Sequence, residues 1–232
     1  MLGLPGLGES VHAASADLGD VGALTAAHSG EIPPGAMPGS ERELIRRARP
    51  SYSRPGVLLD RDGTIIVDSG YVGSVDRVEF IEGSAEAIAT FNRANIPVAV
   101  VTNQAGVARG YYGLDDVAKV HRYIAGCLAD YGAHVDLFLY CPYHPDGVVD
   151  AFARTSEDRK PGPGMARAAE AMLDMDLAAS WVVGDSTEDI GLAEAVGASA
   201  IYLGPGGCKR PGVWSFPSLA AAAPFIVGRI SA

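Results

Sequence analysis

The sequence predicts an α/β domain of Rossmann-like build, with a parallel sheet covered by helices on both faces. Three observations predict it. Short all-apolar runs such as Val57-Leu58-Leu59, Val98-Ala99-Val100-Val101 and Trp181-Val182-Val183 recur along the chain, as expected of strands buried on both faces. Segments with helical spacing of apolar residues lie between them, so strand and helix alternate. Each run leads into a polar cluster, and in such sheets ligands bind beyond the carboxyl ends of the strands.

A chain of 232 residues with 48% hydrophobic residues fits one domain with a sizeable core and length to spare. The formal charge of −10 argues against a general nucleic-acid or acidic-membrane binder, while local cations still allow an anionic small substrate. Cys127, Cys141 and Cys208 are too few and too scattered for a disulfide framework, which points to a reducing, cytoplasmic setting. No apolar run approaches the roughly 20 residues that span a bilayer.

Residues 1–50 are rich in small residues, Gly and Pro, with no sustained period, and are expected to be a disordered extension, either real or added by an upstream start codon. No Lys or Arg precedes Arg42, so a signal peptide is not expected. Glu41 to Arg49 reads as a short charged helix. The domain proper is expected over residues 51–232.

The first strand is Val57 to Leu59, and a connection containing Asp68-Ser69-Gly70-Tyr71 follows it. The spacing of Ala85, Ile88, Ala89 and Phe91 predicts a helix over 82–95 with Ser84 as N-cap, ended by Pro97. Val98 to Val101 is the second strand and runs into Thr102-Asn103-Gln104-Ala105. A helix over 114–131 is predicted to bury Val117, Val120, Tyr123, Ile124 and Leu128, leaving His121 solvated. Val135 to Tyr140 is the third strand, and 141–157 is an irregular loop. The turn Arg159-Lys160-Pro161-Gly162 leads a helix over 163–175. Trp181 to Gly184 is the fourth strand, followed by a helix over 188–196, a fifth strand over 198–203 and a last helix from Pro217 to about Ile226.

On this topology four sets of polar groups meet at one sheet edge: Asp60 with Asp62, Thr102 with Asn103, Arg159 with Lys160, and Asp185 with Asp189. Taken singly, Asp-x-Asp-Gly or Arg-Lys-Pro is what a turn looks like. Together they supply carboxylates, a hydroxyl and cations, which suits hydrolysis of a phosphate ester: a carboxylate nucleophile, a second carboxyl for proton transfer and charge neutralisation by Lys and a hard divalent cation. Mg2+ is the expected ion.

In order, Asp60-Arg61-Asp62-Gly63-Thr64, Thr102-Asn103-Gln104, Arg159-Lys160-Pro161 and Gly184-Asp185 with Asp189 resemble the four motifs of the haloacid dehalogenase-like phosphatases. In detail, Gly70-Tyr71-Val72, Gly106-Val107-Ala108-Arg109-Gly110, Cys141-Pro142 with His144-Pro145, and Pro163-Gly164-Met165 look like the D-glycero-D-manno-heptose 1,7-bisphosphate 7-phosphatases and the related histidinol-phosphate phosphatases. The resemblance covers about Gly56 to Leu203. It implies Asp60 as nucleophile, Asp62 as general acid and base, and Thr102 and Lys160 as holders of the phosphoryl group. It further implies Mg2+ on Asp60, Asp185 and the Asp62 backbone carbonyl, with Asp189 in support. Substrate contacts are expected from Asp68, Ser69, Gly70, Tyr71, Asn103, Gln104, Ala105, Arg109 and Arg159. Little or no cap is expected. The implied partner is a small phosphorylated sugar acted on by a monomer.

Two departures stand out. Heptose phosphatases usually carry a zinc loop, but here Tyr143, Ser156 and Asp158 stand at three of the four ligand positions and only Cys141 is kept. Zinc is therefore not expected. Ser186 stands where those enzymes often have a lysine that meets substrate. Readings of another class are a binding protein that kept the fold without activity, or a sugar phosphomutase. The intact Asp60, Asp62, Thr102, Lys160 and Asp185 argue against the first, and the lack of room for a closing cap argues against the second.

Overall fold

The computed structural model describes residues 53–231. The expected extension over 1–50 and the helix over 41–49 lie outside the described residues.

Six parallel strands form one sheet in the order β3-β2-β1-β4-β5-β6. They are β1 (Val57–Leu59), β2 (Val98–Asn103), β3 (Leu137–Cys141), β4 (Trp181–Gly184), β5 (Ser199–Leu203) and β6 (Val213–Phe216). Strand β1 is central, with Leu58 in register with Ala99 of β2 on one side and Val182 of β4 on the other. The chain builds outward from β1 through β2 to β3, then crosses back to β4. That reversal opens a crevice beyond the carboxyl ends of β1, β2 and β4.

Among the described residues, six helices connect and cover the strands: α1 (Ser84–Arg93), α2 (Ala105–Ala108), α3 (Leu114–Asp130), α4 (Gly164–Leu173), α5 (Thr187–Val196) and α6 (Leu219–Ile230). Alternate strand residues face opposite ways. Val57, Leu59, Val98 and Val100 pack with Ile88, Phe91, Val120, Ile124 and Ile226 of α1, α3 and α6. Leu58, Ala99 and Val101 pack on the other face with Met165, Ala169, Ile190 and Leu192 of α4 and α5. Fully burying a Val, Leu, Ile or Phe side chain contributes about 1.5–3 kcal/mol, so the two apolar layers hold the strand ends in place. Among the described residues, no helix is long and apolar enough to cross a membrane.

The structure corrects several expectations. Ser84 is inside α1, not its cap: its Oγ donates to the Ile65 carbonyl at 2.8 Å, and left-handed Gly83 precedes the helix. On α3 the buried stripe is Val117, Val120, His121, Ile124 and Leu128, whereas Tyr123 is 45% exposed. His121 keeps the 3.6-residue period that Tyr123 breaks, and it finds a polar partner from another element. Helix α2 and edge strand β6 lack a predicted counterpart. One is a single turn; the other has two exposed residues, Trp214 and Ser215, between half-buried ends, so neither has a continuous buried apolar run.

Candidate active site

Asp60 follows β1, and its backbone N–H donates to the Val183 carbonyl at 2.9 Å, which continues the strand pairing into the site. Its Oδ1 accepts from the Arg61 backbone N–H at 2.7 Å and lies 2.9 Å from Lys160 Nζ. Gly63 then turns with φ +77, where a left-handed residue is needed; an added Cβ would also collide with the Asp185 carboxylate. The turn thus brings the end of β1 against the end of β4.

Lys160 is 2% exposed and its Nζ lies 2.7 Å from Asp189 Oδ1 as well. The loop carrying it is clasped by Asn103, whose Oδ1 accepts from the Lys160 N–H at 3.0 Å and whose Nδ2 donates to the Lys160 carbonyl at 3.2 Å. Asp189 is fully buried, and its other oxygen accepts from Ser186 N–H at 3.1 Å and Ser186 Oγ at 2.5 Å. Ser186 in turn caps α5 by accepting from Asp189 N–H. Asp189 therefore ties the helix start to the ammonium.

Asp62 is held by Arg61 Nη2 at 3.0 Å and by Gln104 Nε2 at 2.9 Å. Arg61 is completely buried, and also donates to the Val72 carbonyl at 2.8 Å and to Gln104 Oε1 at 3.1 Å. Its Nη1 lies 3.3 Å from His121 Nε2. Since guanidinium only donates, Nε2 is the acceptor and the neutral ring carries its proton on Nδ1. Gln104 also donates to Thr102 Oγ1 at 2.9 Å. One network thus fixes the residues at the ends of β1 and β2.

Burial pushes the Asp60 carboxyl up to about 7 against the pull of Lys160, with Asp189 and Asp62 adding repulsion. Burial, then repulsion by Asp189, pushes Asp185 up to about 6. Burial opposes charge on Lys160, but the carboxylates of Asp60 and Asp189 outweigh it and hold the ammonium above its usual range. One ammonium thus serves carboxylates that still lack compensation. Ligand oxygens of Asp60, Asp185 and Asp189 lie within 4.8 Å of one another. An all-oxygen donor set of this kind suits a hard divalent cation such as Mg2+.

A crevice of about 390 Å³ opens over these groups. Asp60, Asp62, Thr102, Asn103, Gln104, Lys160 and Asp185 all line it, as do Asp68, Gly70, Tyr71 and Arg159. Ser69, Ala105, Arg109 and Asp189 do not. Ala105 begins α2 and Arg109 ends it, while Asp189 stands behind Lys160. Tyr112 and Glu188 line the crevice without having been expected there, and Ser186 lines it at the position the resemblance gives to a substrate-meeting lysine. Tyr112 donates to Gln104 Oε1 at 2.8 Å, and its ring fills the space that a Cβ on Gly73 or Gly106 would take. Those two glycines are the sequence signal for it.

The positions of the family's zinc loop do not fit zinc. Cys141 is buried with Sγ 3.8 Å from the Tyr143 carbonyl, and burial pushes its thiol up to about 11. Tyr143 is capped by the Arg154 guanidinium at 4.1 Å. Ser156 Oγ donates to Asp158 Oδ2 at 3.4 Å.

A family model described as HAD-hydrolase-like matches residues 158–221. The chain is 41% identical over 145 residues to the D-glycero-beta-D-manno-heptose-1,7-bisphosphate 7-phosphatase of Yersinia pestis, covering 62% of this chain and 77% of that protein. It is 42% identical over 143 residues to the enzyme of the same name from Escherichia coli K12, covering 62% and 75%. The D,D-heptose 1,7-bisphosphate phosphatase of B. bronchiseptica, solved with magnesium and phosphate, superposes with a TM-score of 0.67 at 33% identity, covering 75% of this chain and 98% of that one. The corresponding protein of Burkholderia thailandensis gives 0.56 at 28% identity, covering 75% and 99%.

Proposed function

The chain belongs to the haloacid dehalogenase-like phosphatases and is a phosphoric monoester hydrolase, and on that premise we propose that it removes the 7-phosphate of D-glycero-D-manno-heptose 1,7-bisphosphate with Mg2+ through an aspartyl-phosphate. The observation that carries this reading is the meeting of Asp60, Lys160 and Asp185 in one crevice, with Asp60 Oδ1 2.9 Å from the ammonium. The names of the relatives at 41 and 42% identity support this choice of substrate.

Asp60 attacks the phosphorus, the bond to the sugar oxygen breaks, and Asp62 gives its proton to that oxygen. Water then attacks the aspartyl-phosphate while Asp62 takes its proton, releasing inorganic phosphate and restoring Asp60. Lys160 and the Thr102 hydroxyl hold the phosphoryl oxygens as charge develops on them. Arg61 and Gln104 keep Asp62 at the crevice, and Asp68, Tyr71 and Arg159 meet the sugar. Asp60, Asp185 and the Asp62 carbonyl would hold Mg2+, with Asp189 behind, and the bound ion would supply neutralisation of charge on the transferring group.

A second reading, a phosphomonoester such as histidinol phosphate, is supported by the acid-rich lining. Asp68 and Glu188 face the crevice with Arg159, and Ser186 brings no cation. Phosphate release from both heptose anomers, histidinol phosphate and simple sugar phosphates tests the two, with Asp60→Asn as control. Preference for one heptose anomer is expected; preference for the histidinol ester would leave the chemistry and change the substrate.

A further inference from the structure

The loop between β1 and the short 3-10 turn Val75–Arg77 supplies Asp68, Gly70 and Tyr71 to the crevice. It is unusual backbone. Gly70 and Tyr71 are consecutive left-handed residues, with φ +75 and +52, and the second is a bulky residue for which this region is unfavourable. Something must hold it.

Arg77 does so from outside the crevice. Its Nη2 donates to the carbonyls of Ser69 at 2.7 Å and Gly70 at 2.8 Å and to Ser69 Oγ at 3.2 Å, while Nη1 donates to the Tyr71 carbonyl at 3.1 Å. Three consecutive carbonyls thus converge on one guanidinium, whose planar fork offers several donors in fixed directions. From the other end, Asp68 Oδ1 accepts from the Gly70 N–H at 2.8 Å. The Tyr71 ring, 44% exposed, meets the Tyr111 ring edge-on at 4.9 Å beside the crevice.

We propose that Arg77 is a positioning residue for substrate: by gathering the carbonyls of Ser69, Gly70 and Tyr71 it fixes the loop that presents Asp68 and Tyr71 to the part of the substrate that does not react. This rests on the reading that the crevice takes a phosphorylated sugar. Arg77 touches neither substrate nor the phosphoryl group, so its effect falls on binding of the sugar rather than on the displacement at Asp60.

The test uses the full chain with Mg2+ and compares wild type, Arg77→Ala and Arg77→Lys on the sugar phosphate that the wild type hydrolyses best and on p-nitrophenyl phosphate, which has no sugar. Arg77→Ala is expected to raise KM for the sugar ester roughly tenfold with kcat nearly unchanged, because a displaced contact loop loses orientation. Its kcat/KM on p-nitrophenyl phosphate should match wild type. Arg77→Lys should fall between, since one ammonium cannot reproduce the fork, and methylguanidinium in the assay should restore KM in Arg77→Ala. An unchanged KM for the sugar ester, or an equal loss on both substrates with no rescue, would overturn the proposal. If the wild type prefers a sugar other than the heptose bisphosphate, the substrate reading fails while the same comparison still decides the role of Arg77.

Discussion

Lys160 Nζ lies 2.7 Å from Asp189 Oδ1, closer than the 2.9 Å that separates it from Asp60 Oδ1. The cation beside the proposed nucleophile is therefore anchored from behind by a carboxylate that does not line the crevice. This relationship explains why a residue three positions into α5 belongs to the site. It also predicts how the site fails.

Asp189→Asn leaves a buried ammonium with one carboxylate partner and removes charge from the Ser186 cap. The ammonium keeps Asp60 as a partner, so the cost is smaller than that of a fully broken buried ion pair, but the urea midpoint should still drop, with a loss of activity. Lys160→Met removes the charge at the phosphoryl site itself and should cut kcat by about 10²–10³-fold. Steady-state kinetics beside urea unfolding check both; an Asp189→Asn enzyme with wild-type stability and kcat would show that the anchor is idle.

His121 predicts a pH dependence of stability. Burial, then the Arg61 charge, hold its imidazole well below 6.5 in the folded chain. The unfolded chain therefore binds a proton below about pH 6.5 that the folded chain refuses, so stability is full above that pH and is lost as pH falls. Over the acid side this amounts to about 1.4 kcal/mol per pH unit. His121→Gln keeps an acceptor for Arg61 without titrating. Between pH 7.5 and 5.5 the wild type should lose about 1 kcal/mol more than this variant in urea unfolding; equal losses would mean that His121 is not held neutral.

Much of the fold was legible because β1, β2 and β4 are buried on both faces and read as unbroken apolar runs. What escaped was set by contacts distant in sequence. His121 looks like a polar residue on an amphipathic helix until Arg61, sixty positions away, supplies its partner and Phe138 stacks at 4.9 Å. Strand β6 sits at the sheet edge with Trp214 exposed, so it lacks the apolar run that marks a central strand. At the site, Asp60, Thr102, Lys160 and Asp185 all line the crevice; the meeting of Asp60, Thr102 and Asp185 was legible from the order of strand ends, and Lys160 from the turn that leads α4. Tyr112 was not, because its place depends on the missing side chains of Gly73 and Gly106. Arg109 caps the end of α2 and does not line the crevice.

Metal removal should separate two sites. Chelation should abolish phosphate release and Mg2+ should restore it, since Asp60 and Asp185 are carboxylates that burial has pushed up and that a cation would relieve. Zinc should play no structural part, because one thiol beside Tyr143 and Ser156 cannot complete a tetrahedral set. Elemental analysis of the purified protein, with the melting temperature before and after a zinc chelator, checks this. One zinc per chain, or a fall in melting temperature on zinc chelation, would contradict it.

The most direct measurement is to trap the intermediate. The full chain is mixed with Mg2+ and substrate, quenched in acid, digested and examined by mass spectrometry. A phosphoryl group on the peptide at Asp60, absent from Asp60→Asn together with phosphate release, is the result predicted. Phosphate release by Asp60→Asn at the wild-type rate, or a phosphoryl group on another residue, would contradict the assignment of Asp60 as the nucleophile.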